Sequence, residues 1–182
     1  LDGLTDTFGL AAQRQDIEFV CHLDPHVPRH VIGDPGRLRQ VLVNLLGNAV
    51  KFTTQGHVAL EVAREATGAI RFAVADTGVG IDETAQSTIF GAFAQADASV
   101  TRKHGGTGLG LAISSQLVGL MDAELTVQSC PGKGSTFEFA VVLPPGDAES
   151  SAWPAGDRRG AVVVCRHRAS RRALAAQLRA LD

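Results

Sequence analysis

Residues 34–53, DPGRLRQVLVNLLGNAVKFT, decide the reading of this chain. Asp34 is placed to cap a helix and Pro35 suits its first turn. Leu38, Val41, Leu42, Leu45, Leu46 and Ala49 recur at helical spacing and define an apolar face. Asn44 and Asn48 lie four residues apart, so both amides project from one side of that helix, in or beside its apolar stripe. An unpaired amide there is costly. Either two structural amides are bonded to nearby backbone, or the pair, followed by Lys51, forms part of a site. The glycine loops further along favour the site.

Working outward, 182 residues suffice for one domain with a core and a fragment of a second. Apolar content is 45% and the formal charge is −2, so no basic excess points to nucleic acid or to an anionic membrane. No run approaches the ~18 apolar residues that span a bilayer. The first residues lack the features of a signal peptide, and the absence of an initial Met suggests a piece of a longer protein. Cys21, Cys130 and Cys165 are scattered without a CxxC spacing. This argues against a disulfide framework or zinc site and fits a reducing, cytoplasmic compartment.

Before the central helix the pattern predicts a helix over 2–14, a strand over 17–23 and a connector over 24–35 with three prolines. After it come alternating strands over 57–65 and 69–76, close enough to form a hairpin. A short helix over 82–90 follows, capped by Asp82. Residues 91–106 form a long loop of the kind that often serves as a functional lid. A glycine-opened helix over 107–122 leads to strands over 123–129 and 136–144, joined by a turn. Residues 145–160 read as a Pro-, Gly- and Ser-rich linker. A final apolar strand and amphipathic helix occupy 161–182. There is no internal repeat. The order of elements predicts an α+β domain, a two-layer α/β sandwich with helices on one face of a mixed, largely antiparallel sheet.

Several features carry chemistry. Asp76 ends an apolar strand just before Gly78 and Gly80. A carboxylate there can accept an exocyclic amine such as that of adenine, and the glycines let backbone approach a flat ring. In isolation this is also an ordinary Asp-Thr-Gly turn. GGTGLGLAI (105–113) surrounds a helix start with four glycines, which suits contact with phosphate. It is neither a Walker loop nor a GxGxxG after a strand, which argues against a P-loop nucleotidase and a Rossmann domain. Arg102, Lys103 and His104 precede those glycines as cations that reach a triphosphate, or as a solvated cluster. Lys51 either meets a phosphate or complements the helix C-terminus. An Asn oxygen is a hard ligand suited to Mg²⁺ when a nucleotide completes the shell. Thr136 either backs Asp76 with its hydroxyl or is simply a strand residue. Phe52 either flanks a base or packs in the core.

In order, Asn44-x-x-x-Asn48 with AVKFT, Asp76-x-Gly78-x-Gly80, FGAF (90–93), GGTGLGL and GKGSTF (132–137) resemble the N, G and F boxes of the ATP-binding catalytic domain of bacterial, hybrid-type sensor histidine kinases. Their superfamily also holds gyrase, the large heat-shock chaperone and mismatch-repair ATPases. The resemblance covers roughly residues 1–144. It implies a Bergerat fold binding ATP and Mg²⁺ under an ATP lid, Gly91 to Gly106, anchored by Phe90 and Phe93. It implies Asn48 as the Mg²⁺ ligand and Asn44 facing the phosphates or their water. Lys51, Arg102, Gly106, Thr107, Gly108, Leu109 and Gly110 would line the phosphates. Asp76 would read the adenine amine, with Phe52, Gly78, Gly80 and Thr136 around it. In the related hydrolases the place of Asn44 holds a Glu that acts as general base. An amide cannot take that proton, so Asn44 favours transfer over hydrolysis.

The same resemblance implies a γ-phosphoryl acceptor, a His on a dimerisation domain of the full-length kinase. None of His22, His26, His30, His57, His104 and His167 has that context, so this fragment is expected to be monomeric. Residues 161–182 resemble the first strand and helix of a receiver domain, with Cys165, Arg166 and His167 where an acidic pair is usual. A receiver domain or response regulator is thus the expected downstream partner, and kinases of this kind are often anchored in the inner membrane. The competing readings are a nucleotide-sensing module without catalysis and an ATP hydrolase of the same superfamily.

Overall fold

The computed structural model describes residues 1–91 and 108–146. Most of the expected lid with Phe93, Arg102, Lys103, His104, Gly106 and Thr107, the remainder of the linker and the 161–182 segment lie outside them. Helix α1 (Asp2–Arg14) leads to strand β1 (Glu18–Leu23), then helix α2 (Pro35–Phe52) and the strands β2 (His57–Arg64) and β3 (Ile70–Asp76). A single turn, α3 (Glu83–Gln86), helix α4 (Gly110–Gly119), and strands β4 (Thr126–Cys130) and β5 (Gly134–Val141) complete the described chain.

The strands form one sheet in the order β1-β2-β3-β5-β4. β1 runs parallel to β2 and every other pairing is antiparallel. This is the α+β two-layer sandwich expected, with a mixed, mostly antiparallel sheet. Alternation decides which side is covered: Val58, Leu60 and Val62 of β2, Ile70, Phe72 and Val74 of β3, and Phe137, Phe139 and Val141 of β5 all lie in the core. Leu4, Phe8 and Ala12 of α1, Val118 of α4, and Val41, Leu42, Leu45, Leu46, Ala49 and Val50 of α2 meet them. Each fully buried Leu or Val contributes about 1.5–3 kcal/mol. The ring pair Phe72–Phe139, stacked at 5.2 Å, ties neighbouring strands. On the opposite side Arg71 reaches Glu61 at 2.7 Å and Glu138 at 3.3 Å, an ion triad across β2, β3 and β5. Among the described residues, no helix is long and apolar enough to cross a membrane.

α2 begins where its sequence says it should. The Asp34 carboxylate accepts the Gly36 and Arg37 N–H groups at 2.9 and 3.0 Å, with Pro35 in the first turn. Four elements differ from expectation. The 82–90 helix is only Glu83–Gln86, because the Ser87 and Thr88 hydroxyls return to the Thr84 and Ala85 carbonyls. Asp82 still caps it through Thr84. α4 is shorter than 107–122: Gly108 has a left-handed φ of 68°, and Asp122 at φ 56° closes the far end with Ala123 N–H on the Val118 carbonyl. β4 starts at Thr126 rather than Ala123, where the ladder to Glu138 begins. β5 spans Gly134–Val141 rather than 136–144. Beyond it Ile32 donates to Pro144, Val31 bridges Pro145, and Gly146 donates to the His30 carbonyl. Pro145 and Gly146, read as the start of the linker, are thus bonded to the domain.

Two stability measurements check this account by chemical denaturation. Asp34→Ala should cost about 1 kcal/mol, since two N–H groups lose their acceptor. Leu46→Ala, at a fully buried position, should cost about 2–5 kcal/mol.

Candidate functional site

Asp76 is the last residue of β3, and the loop after it is wedged between three backbones. A side chain at Gly78 would strike the Phe52 carbonyl at the end of α2. One at Gly80, where φ is 71°, would strike the Cys130 carbonyl, and one at Gly134, where φ is 100°, the Asp76 carbonyl. These glycines are needed for close approach and not merely for a loose turn. The Asp76 carboxylate accepts the Gly78 N–H at 2.8 Å and a backbone hydrogen bond from Ser135. Burial pushes its pKa above the ordinary carboxylate value, and those two N–H groups pull the other way.

Thr136, expected to back Asp76, is elsewhere. It pairs with Ala75, so it faces the opposite side of the sheet from Asp76. Ser135 backs Asp76 instead, through its backbone N–H, while its buried hydroxyl bonds Ser129 at 2.9 Å. Ser129 is a support that sequence reasoning missed. Its hydroxyl accepts the Ile81 N–H at 2.7 Å and bonds the Gly134 carbonyl at 3.0 Å. Gln86 adds bonds to the carbonyls of Ile81 and Ser129, and Gly132 N–H reaches Val79 at 2.7 Å. The β4–β5 hairpin therefore holds the Asp76 loop in place. Only the odd spacing of polar residues on β4 hinted at this.

α2 links this end to the glycine segment. Phe52 lies against Gly78, and Asn44 lies against Gly110, the first residue of α4. Eight residues separate Phe52 from Asn44, roughly 12 Å along the helix. Asn48 sits between them on the same face, half-buried, its side-chain amide making no hydrogen bond to the described residues. Asn44 is not bonded to neighbouring backbone, the structural alternative considered above. Its Nδ2 donates to Ser114 of α4 at 2.9 Å. Lys51 holds its ammonium 4.9 Å over the Phe52 ring. Gly108 and Leu109 lead into α4, Leu109 as its N-cap residue. Phe90 meets Phe137 edge-on at 6.4 Å, which fixes the chain where the expected lid begins.

The structure thus sets Asn44, Asn48, Lys51 and Phe52 along α2, with Gly78 of the Asp76–Gly80 loop against its Phe52 end and Gly110, preceded by Gly108 and Leu109, against Asn44. The result is a trough with a carboxylate at one end and a helix N-terminus at the other, with amides between. An acceptor for a base amine, a free amide oxygen and phosphate-facing N–H groups in that order fit a nucleoside polyphosphate.

Comparison with known proteins agrees. Residues 33–145 match the family described as histidine kinase-, DNA gyrase B-, and HSP90-like ATPase. The signal transduction histidine-protein kinase BarA of Escherichia coli is 42% identical over 147 residues, 79% of this chain and 16% of BarA. The sensor histidine kinase GacS of Pseudomonas protegens is 39% identical over 186 residues, 97% of this chain and 20% of GacS. This chain therefore spans a fifth or less of these relatives. Among solved structures, full-length ShkA in complex with AMPPNP aligns with a TM-score of 0.83 at 34% identity, over 99% of this chain and 37% of that one. The mycobacterial sensor histidine kinase MprB aligns at 0.66 and 26%, over 80% and 97%. With residues 33–145, more than half of its length, matching that family, the chain belongs to the histidine kinase-, DNA gyrase B-, and HSP90-like ATPases.

Proposed function

We propose that this chain is the catalytic, ATP-binding domain of a hybrid-type sensor histidine kinase, and that it passes the γ-phosphoryl of ATP to a histidine on a separate dimerisation domain. The observation that carries this is Asn44, seated at the glycine end of the trough where a hydrolase needs a general base. Asp76 accepts the adenine amine beside Phe52, Gly78 and Gly80. Lys51, Arg102 and the glycines at 106, 108 and 110 neutralise phosphate charge, with Thr107 and Leu109 in the same stretch. Asn48, whose amide is uncommitted among the described residues, is the proposed Mg²⁺ ligand. When bound, Mg²⁺ neutralises charge on the phosphates.

The transfer breaks the bond between the γ-phosphorus and the β–γ bridging oxygen and forms a bond from that phosphorus to the acceptor imidazole nitrogen, releasing ADP. The chain's part is to hold the chain of phosphates in line and to offer water no base. The partners that follow are the dimerisation domain of the same full-length protein and a downstream receiver domain or response regulator. BarA and GacS, named as a signal transduction histidine-protein kinase and a sensor histidine kinase, support the kinase assignment.

A mixing assay tests the reading: radiolabelled ATP with Mg²⁺, this chain and a supplied dimerisation domain. Acid-labile label on that domain is expected; ATP binding with label on no acceptor would remove the kinase assignment. Asn48→Ala should weaken nucleotide binding in Mg²⁺ and leave binding in EDTA nearly unchanged, as titration calorimetry would show.

Asp76 yields a pH dependence. Its proton is held more tightly than in an ordinary carboxylate, so acidification should weaken adenine nucleotide binding from above the usual carboxylate range downward. Asp76→Asn should bind more weakly and lose that dependence. A folded pKa above the unfolded one also means that stability is lost as pH rises through the folded value. The same variant should therefore be no less stable at neutral pH, by denaturation.

A further inference from the structure

We infer that Ser114 is a positioning residue for phosphoryl transfer, acting by fixing the rotamer and plane of the Asn44 amide. This inference rests on the kinase reading above. Seventy residues separate the two, and only the packing of α4 on α2 brings them together. Ser114 is 1% exposed on a helix whose other buried residues are Ala112 and Val118. A buried hydroxyl without a partner is costly, and Asn44 Nδ2 at 2.9 Å is the partner observed. Gly110, one turn earlier on the same face of α4, lies so close to Asn44 Oδ1 that a side chain there would push the amide aside. Helix α4 therefore meets the amide twice, by a hydrogen bond from its nitrogen to Ser114 and by close packing of the Gly110 backbone beside its oxygen.

The consequence is specific. Freed from Ser114, Asn44 keeps its place on α2 but gains rotamers at the phosphate end of the trough. The adenine end, roughly 12 Å away along α2, is untouched. Loss of the hydroxyl should thus act on rate far more than on affinity.

The test is a double-mutant cycle on this chain with ATP, Mg²⁺ and a supplied dimerisation domain, using Ser114→Ala, Asn44→Ala and both together. Ser114→Ala should slow transfer about tenfold, the scale of one neutral hydrogen bond, with ATP affinity within about twofold. In the Asn44→Ala background it should change the residual rate no further. In parallel, NMR follows the Asn44 side-chain amide pair, recognised as the signal missing from Asn44→Ala. That pair should shift in Ser114→Ala. An unshifted pair, or equal slowing in both backgrounds, would overturn the inference. Absence of transfer by the wild type would strike the kinase reading instead. The NMR signal, read with ATP alone, would then still decide whether Ser114 holds Asn44.

Discussion

Around Asp76, three stretches of main chain come so close that no side chain fits between them. The end of α2 touches the loop at Gly78, the β4–β5 turn touches it at Gly80, and the start of β5 touches β3 at Gly134. Without those contacts the carboxylate would hang from a frayed strand end in water. With them it is half-buried, aimed by two backbone N–H groups and held by the Ser129, Ser135 and Gln86 bonds. Burial raises the cost of its charge, and the structure bears that cost by stitching the loop to a hairpin that is itself part of the sheet. The site inherits its rigidity from the strands.

α2 is the second half of the arrangement. One helix packs its apolar side on β2 and β3 while its other side carries Asn44, Asn48 and Phe52 in successive turns. The same turns that bury Leu42, Leu45 and Leu46 space the polar groups. Core and site therefore share one ruler. A helix that shifted along the sheet would misplace every polar group at once, which makes the packing beneath it part of the chemistry above.

Much of this was legible in the residues themselves. Asp34, Pro35 and the apolar repeat announce α2; alternation announces β2, β3 and β5; the DTGVG loop and the glycines before α4 announce the two ends of the trough. What stayed hidden depends on register and on distant neighbours. Ser135 and Thr136 are adjacent, and only the pairing of Thr136 with Ala75 shows which of the two lies on the Asp76 side of the sheet. Ser114 and Ser129 look like ordinary polar residues until α4 meets α2 and β4 meets β5. The short α3 and the late start of β4 were missed because hydroxyl-to-carbonyl bonds and ladder ends leave weak traces in hydrophobic pattern.

The way the chain leaves the domain has a mechanical consequence. β5 begins beside Asp76 and ends seven residues later, roughly 24 Å away, and residues 144–146 are fastened beyond it to residues 30–32. Any segment attached beyond Gly146 is therefore tethered at the pole of the molecule opposite the carboxylate. Its effective concentration at the trough is set by the length and stiffness of that tether. Pull applied through it is taken up first by the anchoring bonds at His30 and Ile32, not by the nucleotide end. That exit is thus fastened away from the Asp76 loop.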